Sequence, residues 1–315
     1  MPEDPSRFTS EDVEIWRRDG VVLLKNLFTP TECAAVVADF ERVFARDGAQ
    51  TPLVKKKPGE IGRFNPAQFE SIQIVPLDCS PALNLIGVHP ALIAFAKAAL
   101  QTDDVRIYQS QAWAKFTGDA DYDQPFHCDF ANHTLTVPSE DPANNAVTIF
   151  CYFTDVTDAH GATHYVTRPD SAGIAGPEAS LDPDPAAQAS LQAGLAKVAR
   201  SSASPAGTAI AYTTDVYHRA TNLTAPGGRR YALMACYKKA GDDSIGFTAW
   251  PFHHTRPWAN IFDHATPEQL ACFGVQRPGH PFWTETTLRR ARTRFPGWNL
   301  APYAAAVKAP IDRSS

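Results

Sequence analysis

Several signatures that would settle a function at once are missing from this 315-residue sequence. It has no H-E-x-x-H, no G-x-S-x-G, no Walker A and no G-x-G-x-x-G. A zinc protease, an α/β-hydrolase, a P-loop enzyme and a Rossmann dinucleotide site are therefore not advertised. The six cysteines, Cys33, Cys79, Cys128, Cys151, Cys236 and Cys272, are widely spaced and form no C-x-x-C. They read as reduced thiols of a cytoplasmic protein, not as a disulfide framework. No uninterrupted run of about 18 apolar residues occurs, so no membrane span is expected. The opening Met1-Pro2-Glu3-Asp4-Pro5 has neither the basic nor the apolar segment of a signal peptide. Positive charge is not in excess: 29 Lys and Arg stand against 34 Asp and Glu, a formal −5. That argues against a nucleic-acid partner, which requires a strongly cationic surface.

What is present is a foldable chain, 44% hydrophobic and 10% aromatic, with 26 prolines. Thr9 and Asp12 have the spacing of a helix cap, and a helix to about Asp19 would bury Val13 and Trp16. Val21–Lys25 reads as a strand. Thr29-Pro30-Thr31-Glu32 is a second capping box, with proline at the first helical position. Val36, Val37, Phe40, Val43 and Phe44 then recur at helical spacing. Residues 80–101 read as one further helical stretch. Val105–Phe116, Val147–Thr154, Ala206–Thr213 and Arg230–Lys238 read as strands. On the first of these, Gln109, Gln111, Trp113 and Lys115 share a face by the period of two.

An insertion at 170–204 holds one helix, Ala186–Arg200, and is expected to have no ladder of its own. Residues 49–65, with Lys55–Lys57, Gly59 and Gly62, read as an exposed basic loop or a flap. The last 70 residues are aromatic, and Arg289, Arg290, Arg292 and Arg294 read as a solvated helix face. Helices followed by many short strands suggest a sandwich or barrel with a helical N-terminal layer.

The chemistry-bearing segment is Gln124-Pro125-Phe126-His127-Cys128-Asp129. On an extended chain an H-x-D places imidazole and carboxylate on one face, about 7 Å apart at the backbone, with Cys128 pointing away. Two histidines and one carboxylate with open positions form the facial triad of non-haem Fe(II) oxygen chemistry. His218, in Tyr217-His218-Arg219, is the best candidate for the second imidazole. Arg229 follows it by eleven residues and could return as a bidentate carboxylate clamp. Arg230 is the alternative, since strand alternation allows only one of the two to face inward. His133 reads as a structural or supporting residue, and His160 as a turn residue. His253-His254 lacks a partner carboxylate.

The H-x-D, the distal His with its Arg eleven on, the strand Tyr108–Lys115 and the segment Tyr152–Val166 resemble the phytanoyl-CoA dioxygenase family of Fe(II)/2-oxoglutarate oxygenases. The resemblance covers roughly residues 10–240. It implies a mainly β fold with helices: a double-stranded β-helix, the cupin-like jelly roll, carrying the N-terminal helical layer. One catalytic domain would then span 1–315. Its parts would be the helical layer and flap in 1–104, the jelly-roll core in 105–240 and an aromatic extension in 241–315.

The resemblance further implies that His127, Asp129 and His218 ligate Fe(II), and that Arg229 holds the distal carboxylate of 2-oxoglutarate. Phe150, Thr163 and either Gln109 or Gln111 would lie near the cosubstrate or the iron. The implied reaction uses O₂ to hydroxylate an unactivated C–H of a small-molecule substrate, releasing succinate and CO₂. The alternative is a non-catalytic or 2-oxoglutarate-independent cupin-like metal protein. Two places depart from the family pattern: Ala220 stands where a hydroxyl is common, and Val166–Ser171 reads Val-Thr-Arg-Pro-Asp-Ser where Gly-Ser-His after Val-Pro is common.

Overall fold

The structure is a computed structural model that describes residues 7–45, 71–118, 123–134, 138–242 and 257–308. The expected loop or flap at 49–65 and the pair His253-His254 lie outside these residues. The N-terminal part contains α1 (Ser10–Asp19), β1 (Val21–Leu24), α2 (Pro30–Val43), β2 (Ile72–Ile74), α3 (Pro81–Ile86) and α4 (Pro90–Leu100). The core continues with β3 (Val105–Phe116), α5 (Phe130–His133), β4 (Val147–Tyr152), β5 (His164–Tyr165) and α6 (Arg168–Ala172). It closes with α7 (Pro185–Val198), β6 (Arg200–Ser201), β7 (Ala209–Thr213), β8 (His218–Arg219) and β9 (Arg229–Lys239). Four short helices follow: α8 (Ala259–Phe262), α9 (Pro267–Cys272), α10 (Glu285–Arg294) and α11 (Ala301–Lys308).

Both N-terminal helices start where their hydroxyl and carboxylate residues dictate. Thr9 with Asp12 and Thr29 with Glu32 each close a reciprocal capping box. Each box satisfies amide donors that the first helical turn leaves orphaned. The expected single helix over 80–101 is two. Pro90 disfavours helical backbone at His89, so the chain breaks at Gly87–His89 and restarts with the His89 side chain capping α4.

The strands form a six-stranded antiparallel sheet in the order β1-β7-β4-β9-β3-β2 and a three-stranded sheet in the order β6-β5-β8. The fold is a mainly antiparallel jelly roll covered by helices. An antiparallel bridge between His127 and His218 adds the H-x-D segment to the smaller sheet. Alternation along β4 and β9 divides the interior in two. Ile149, Cys151, Tyr231, Leu233 and Ala235 join the helices in the main core, while Phe150, Tyr152 and Ala232 face the space between the sheets. Gly207 takes φ +86°, and a Cβ there would meet the Phe28 carbonyl at 2.5 Å; the helical layer approaches β7 at that point.

Of the two peripheral segments, the insertion differs from expectation. The insertion contributes β6, a two-residue ladder against β5, and Ser204 bridges Val156. The aromatic C-terminal segment packs Trp283, Trp298 and Tyr303 into the main core beside the helices. On α10, Arg289, Arg292 and Arg294 are exposed.

Candidate metal and cosubstrate site

Two chain segments meet here, one carrying His127 and Asp129 and the other His218. His127 and His218 exchange both backbone hydrogen bonds at 3.0 Å, which fixes the two imidazoles side by side with ring centroids 4.5 Å apart. After His127 the chain does not continue extended. Asp129 adopts helical backbone (φ −74°, ψ −13°) and starts α5. The turn, rather than strand alternation, swings its carboxylate toward the histidines. Its oxygens lie 3.6 Å from His127 Nε2 and 3.4 Å from His218 Nε2. One ligand atom from each residue falls within 4.8 Å of the others, a spacing that fits a single metal ion.

Each imidazole is held in the same way. Nδ1 lies 3.0 Å from a carbonyl two residues earlier, Pro125 for His127 and Val216 for His218. A carbonyl only accepts, so Nδ1 carries the proton and Nε2 presents its lone pair inward. Burial, and then the neighbouring His218, push His127 down to about 4 against the pull of Asp129, so it is neutral at ordinary pH. Burial opposes ionisation of Asp129, but His218, His133 and His127 outweigh it and hold the carboxyl below its usual range. Two imidazoles and a carboxylate are the donor set of a facial triad.

The triad opens into a cavity of about 600 Å³. Of the residues expected from the sequence, Gln109, Gln111, Phe150 and Thr163 line it with His127, Asp129 and His218. Ile72, Ile74, Trp113, Gln124, Asn132, His133, Tyr212, Ala220 and Met234 complete the wall. Gln109 is nearly fully buried, and its Oε1 has no hydrogen-bond partner among the described residues. Thr163 is held by Tyr152, whose hydroxyl accepts from the Thr163 amide at 3.1 Å. His133 accompanies the triad without joining it; its Nδ1 meets the Tyr108 hydroxyl at 2.5 Å. Cys128 points away from the cavity, and its thiol donates to the Asp215 carbonyl at 3.3 Å.

Arg229 does not reach this space. It pairs with Glu41 at 3.0 Å, half exposed, and lies over the outer face of Tyr231. Arg230 takes the inward position, with the parity of Ala232 and Met234. Its guanidinium is completely buried, 5.3 Å from the Trp113 ring and 5.5 Å from the Phe150 ring. Nη1 donates to the Gly161 carbonyl, while Nε and Nη2 have no partner among the described residues. A buried cation with two unused donors and no counter-charge is costly unless an anion occupies the adjoining space. The eleven-residue spacing from His218 favours Arg229 and makes Arg230 only the alternative; both faces of β9 are buried, so alternation does not decide between them.

The insertion packs behind the His127–Asp129 segment and Tyr217. Leu191 and Leu195 of α7 pack with Phe126, Cys128, Phe130, Val166 and Tyr217. Gln192 brackets Phe126, accepting from its amide at 2.7 Å and donating to its carbonyl at 2.9 Å. Nothing in the sequence flagged Gln192. Among the described residues, neither the insertion nor the C-terminal segment lines the cavity.

A family model for phytanoyl-CoA dioxygenase (PhyH) matches residues 16–231. An ectoine dioxygenase of Bordetella parapertussis is 31% identical over 155 residues, 49% of this chain and 46% of that protein. The corresponding Bordetella bronchiseptica protein is 30% identical over the same length. The chain thus spans about half the length of the curated relatives it matches. Among solved structures, the carbocyclase SnoK from nogalamycin biosynthesis has TM-score 0.52 and 19% identity, covering 76% of this chain and 87% of that one. EctD from S. alaskensis has TM-score 0.52 and 17% identity, covering 82% and 85%. These structures share the fold.

Proposed function

The chain belongs to the phytanoyl-CoA dioxygenase family, and from that premise we propose that it is a non-haem Fe(II)- and 2-oxoglutarate-dependent dioxygenase that hydroxylates a small molecule. The observation that carries the reading is the pairing of a His127–Asp129–His218 donor set on the wall of one cavity with the Arg230 guanidinium, buried beside the wall residues Trp113 and Phe150 with two of its donors unused among the described residues. The first suits a divalent iron with three positions left open. The second suits the far carboxylate of a dicarboxylic oxo-acid, which a fork of N–H donors binds bidentately. The relatives named for ectoine, a small molecule, support a small-molecule substrate here.

When bound, iron and 2-oxoglutarate supply oxidation by O₂ with release of succinate and CO₂. The chain's own residues prepare for it. Pro125 and Val216 keep both imidazoles in the tautomer that ligates. Asp129 fills the third protein position and contributes negative charge. Arg230, beside Phe150 and Trp113 of the cavity wall, would anchor the cosubstrate, and Thr163 lines the same cavity. Trp113, Ile72, Ile74 and Met234 give apolar walls that limit water, and Gln109, Gln111 and Asn132 supply amide groups to orient a substrate.

The test is succinate release by purified protein supplied with Fe(II), 2-oxoglutarate and O₂ over a panel of amino acids, acyl thioesters and small natural products. Succinate formation that needs all three, and that His218→Ala abolishes, is the expected result. Substrate oxidation that proceeds without 2-oxoglutarate would refute the assignment.

A further inference from the structure

The turn from Thr213 to Val216, between β7 and β8, touches every part of the ligand set. The Thr214 carbonyl accepts from the amide of Phe130, immediately after Asp129, at 2.9 Å. The Asp215 carbonyl accepts from the thiol of Cys128, between His127 and Asp129, at 3.3 Å. The Val216 carbonyl accepts from Nδ1 of His218 at 3.0 Å. Three consecutive carbonyls of one turn thus set the directions of both ligand segments. Such partners orient a metal site as much as the ligands do.

One side chain holds that turn. Arg168, at the start of α6, donates from Nε and Nη2 to the two carboxylate oxygens of Asp215 at 2.7 and 3.0 Å. Its Nη2 also reaches Thr213 Oγ1 at 3.0 Å, and Nη1 reaches the carbonyl of Arg17 in the last turn of α1 at 2.9 Å. Arg168 is itself tied to the site, because the Val166 amide donates to the Tyr217 carbonyl at 2.8 Å. Gly20 leaves room for it; a Cβ there would lie 3.1 Å from Arg168 Cγ. This planar fork has all three groups in use, which a lysine could not reproduce.

We infer that Arg168, through Asp215, is a positioning residue for the metal centre: it locks the 213–216 turn to α1 so that the three ligands converge before metal arrives. The inference rests on the metal site proposed above. It is tested by anaerobic titration of the full chain with Fe(II), and by the visible absorption of the Co(II)-substituted protein. Arg168→Gln should weaken metal binding about 10- to 100-fold and alter the Co(II) bands, with Arg168→Lys restoring them only in part. Asp215→Asn, which keeps the size of the side chain, should act in the same direction and stands in if Arg168→Gln does not fold. Arg200→Gln, which removes an exposed pair with Asp170, should change neither readout. Wild-type affinity and spectrum in both Arg168→Gln and Asp215→Asn, with only the melting temperature lowered, would overturn the inference. A wild-type chain that binds neither metal would instead overturn the metal site itself.

Discussion

Replacing Arg230 by methionine should move binding and stability in opposite directions. The Arg230 guanidinium is fully buried, bonded through Nη1 to Gly161 and, among the described residues, unpartnered at Nε and Nη2. Exchanging an uncompensated buried charge for an apolar side chain of similar length is neutral or stabilising, by up to about 4 kcal/mol in comparable cases. The melting temperature of the free protein should therefore hold or rise by a few degrees.

With 2-oxoglutarate the same change removes one half of a desolvated, charge-assisted pair. That costs about 2–5 kcal/mol, or roughly 30-fold to a few thousand-fold in affinity. Calorimetric titration of 2-oxoglutarate into the Fe(II)-loaded protein without O₂ measures it. Arg229→Ala is the companion. Its pair with Glu41 is about half exposed on both sides, so stability should change by less than about 1 kcal/mol and 2-oxoglutarate affinity should not change. The reverse pattern, with Arg229→Ala losing the cosubstrate and Arg230→Met retaining it, would refute the assignment of the clamp.

Two further outcomes follow from the geometry. Gly161 has φ +73°, and a Cβ there would meet the Thr221 carbonyl at 2.7 Å. Gly161→Ala should cost about 2–3 kcal/mol in urea denaturation, and should weaken 2-oxoglutarate binding because the same residue's carbonyl holds Arg230; an unchanged midpoint would count against this. Acid should destabilise the metal-free protein. Burial lowers His89, His127 and His133 below their ordinary value, so the unfolded chain takes up those protons first and stability falls as pH drops from about 6.5. Burial opposes ionisation of Glu32, yet bonds from Arg7, the Thr29 backbone and His89 hold it at about 2, so a second loss follows below about 4.5. Melting temperatures that stay level from pH 7 to pH 5 would contradict the first of these.

Much of the framework could be read in advance because its signals are local. Capping boxes at Thr9 and Thr29 depend on side chains three residues apart, and Val105–Phe116 forms a strand with the expected ends. The features that escaped depend on parity or on distant partners. Arg229 and Arg230 could not be told apart because β9 is buried on both faces, so alternation carried no polarity. Asp129 reaches the histidines through a helical turn that an extended H-x-D reading does not contain. Arg168 stood out only as a departure from the family pattern; its role requires Asp215 and Arg17, 47 and 151 residues away.

The central claim is that His127, Asp129 and His218 hold one iron and leave positions open for a chelating oxo-acid anchored on Arg230. Anaerobic addition of 2-oxoglutarate to the Fe(II)-loaded protein tests it most directly, by following the visible charge-transfer absorption that chelation to iron produces. The account predicts a band that saturates at one iron and one 2-oxoglutarate per chain, is absent in His218→Ala and needs far more 2-oxoglutarate in Arg230→Met. No band in the wild-type chain, or an undiminished band in His218→Ala, would contradict it.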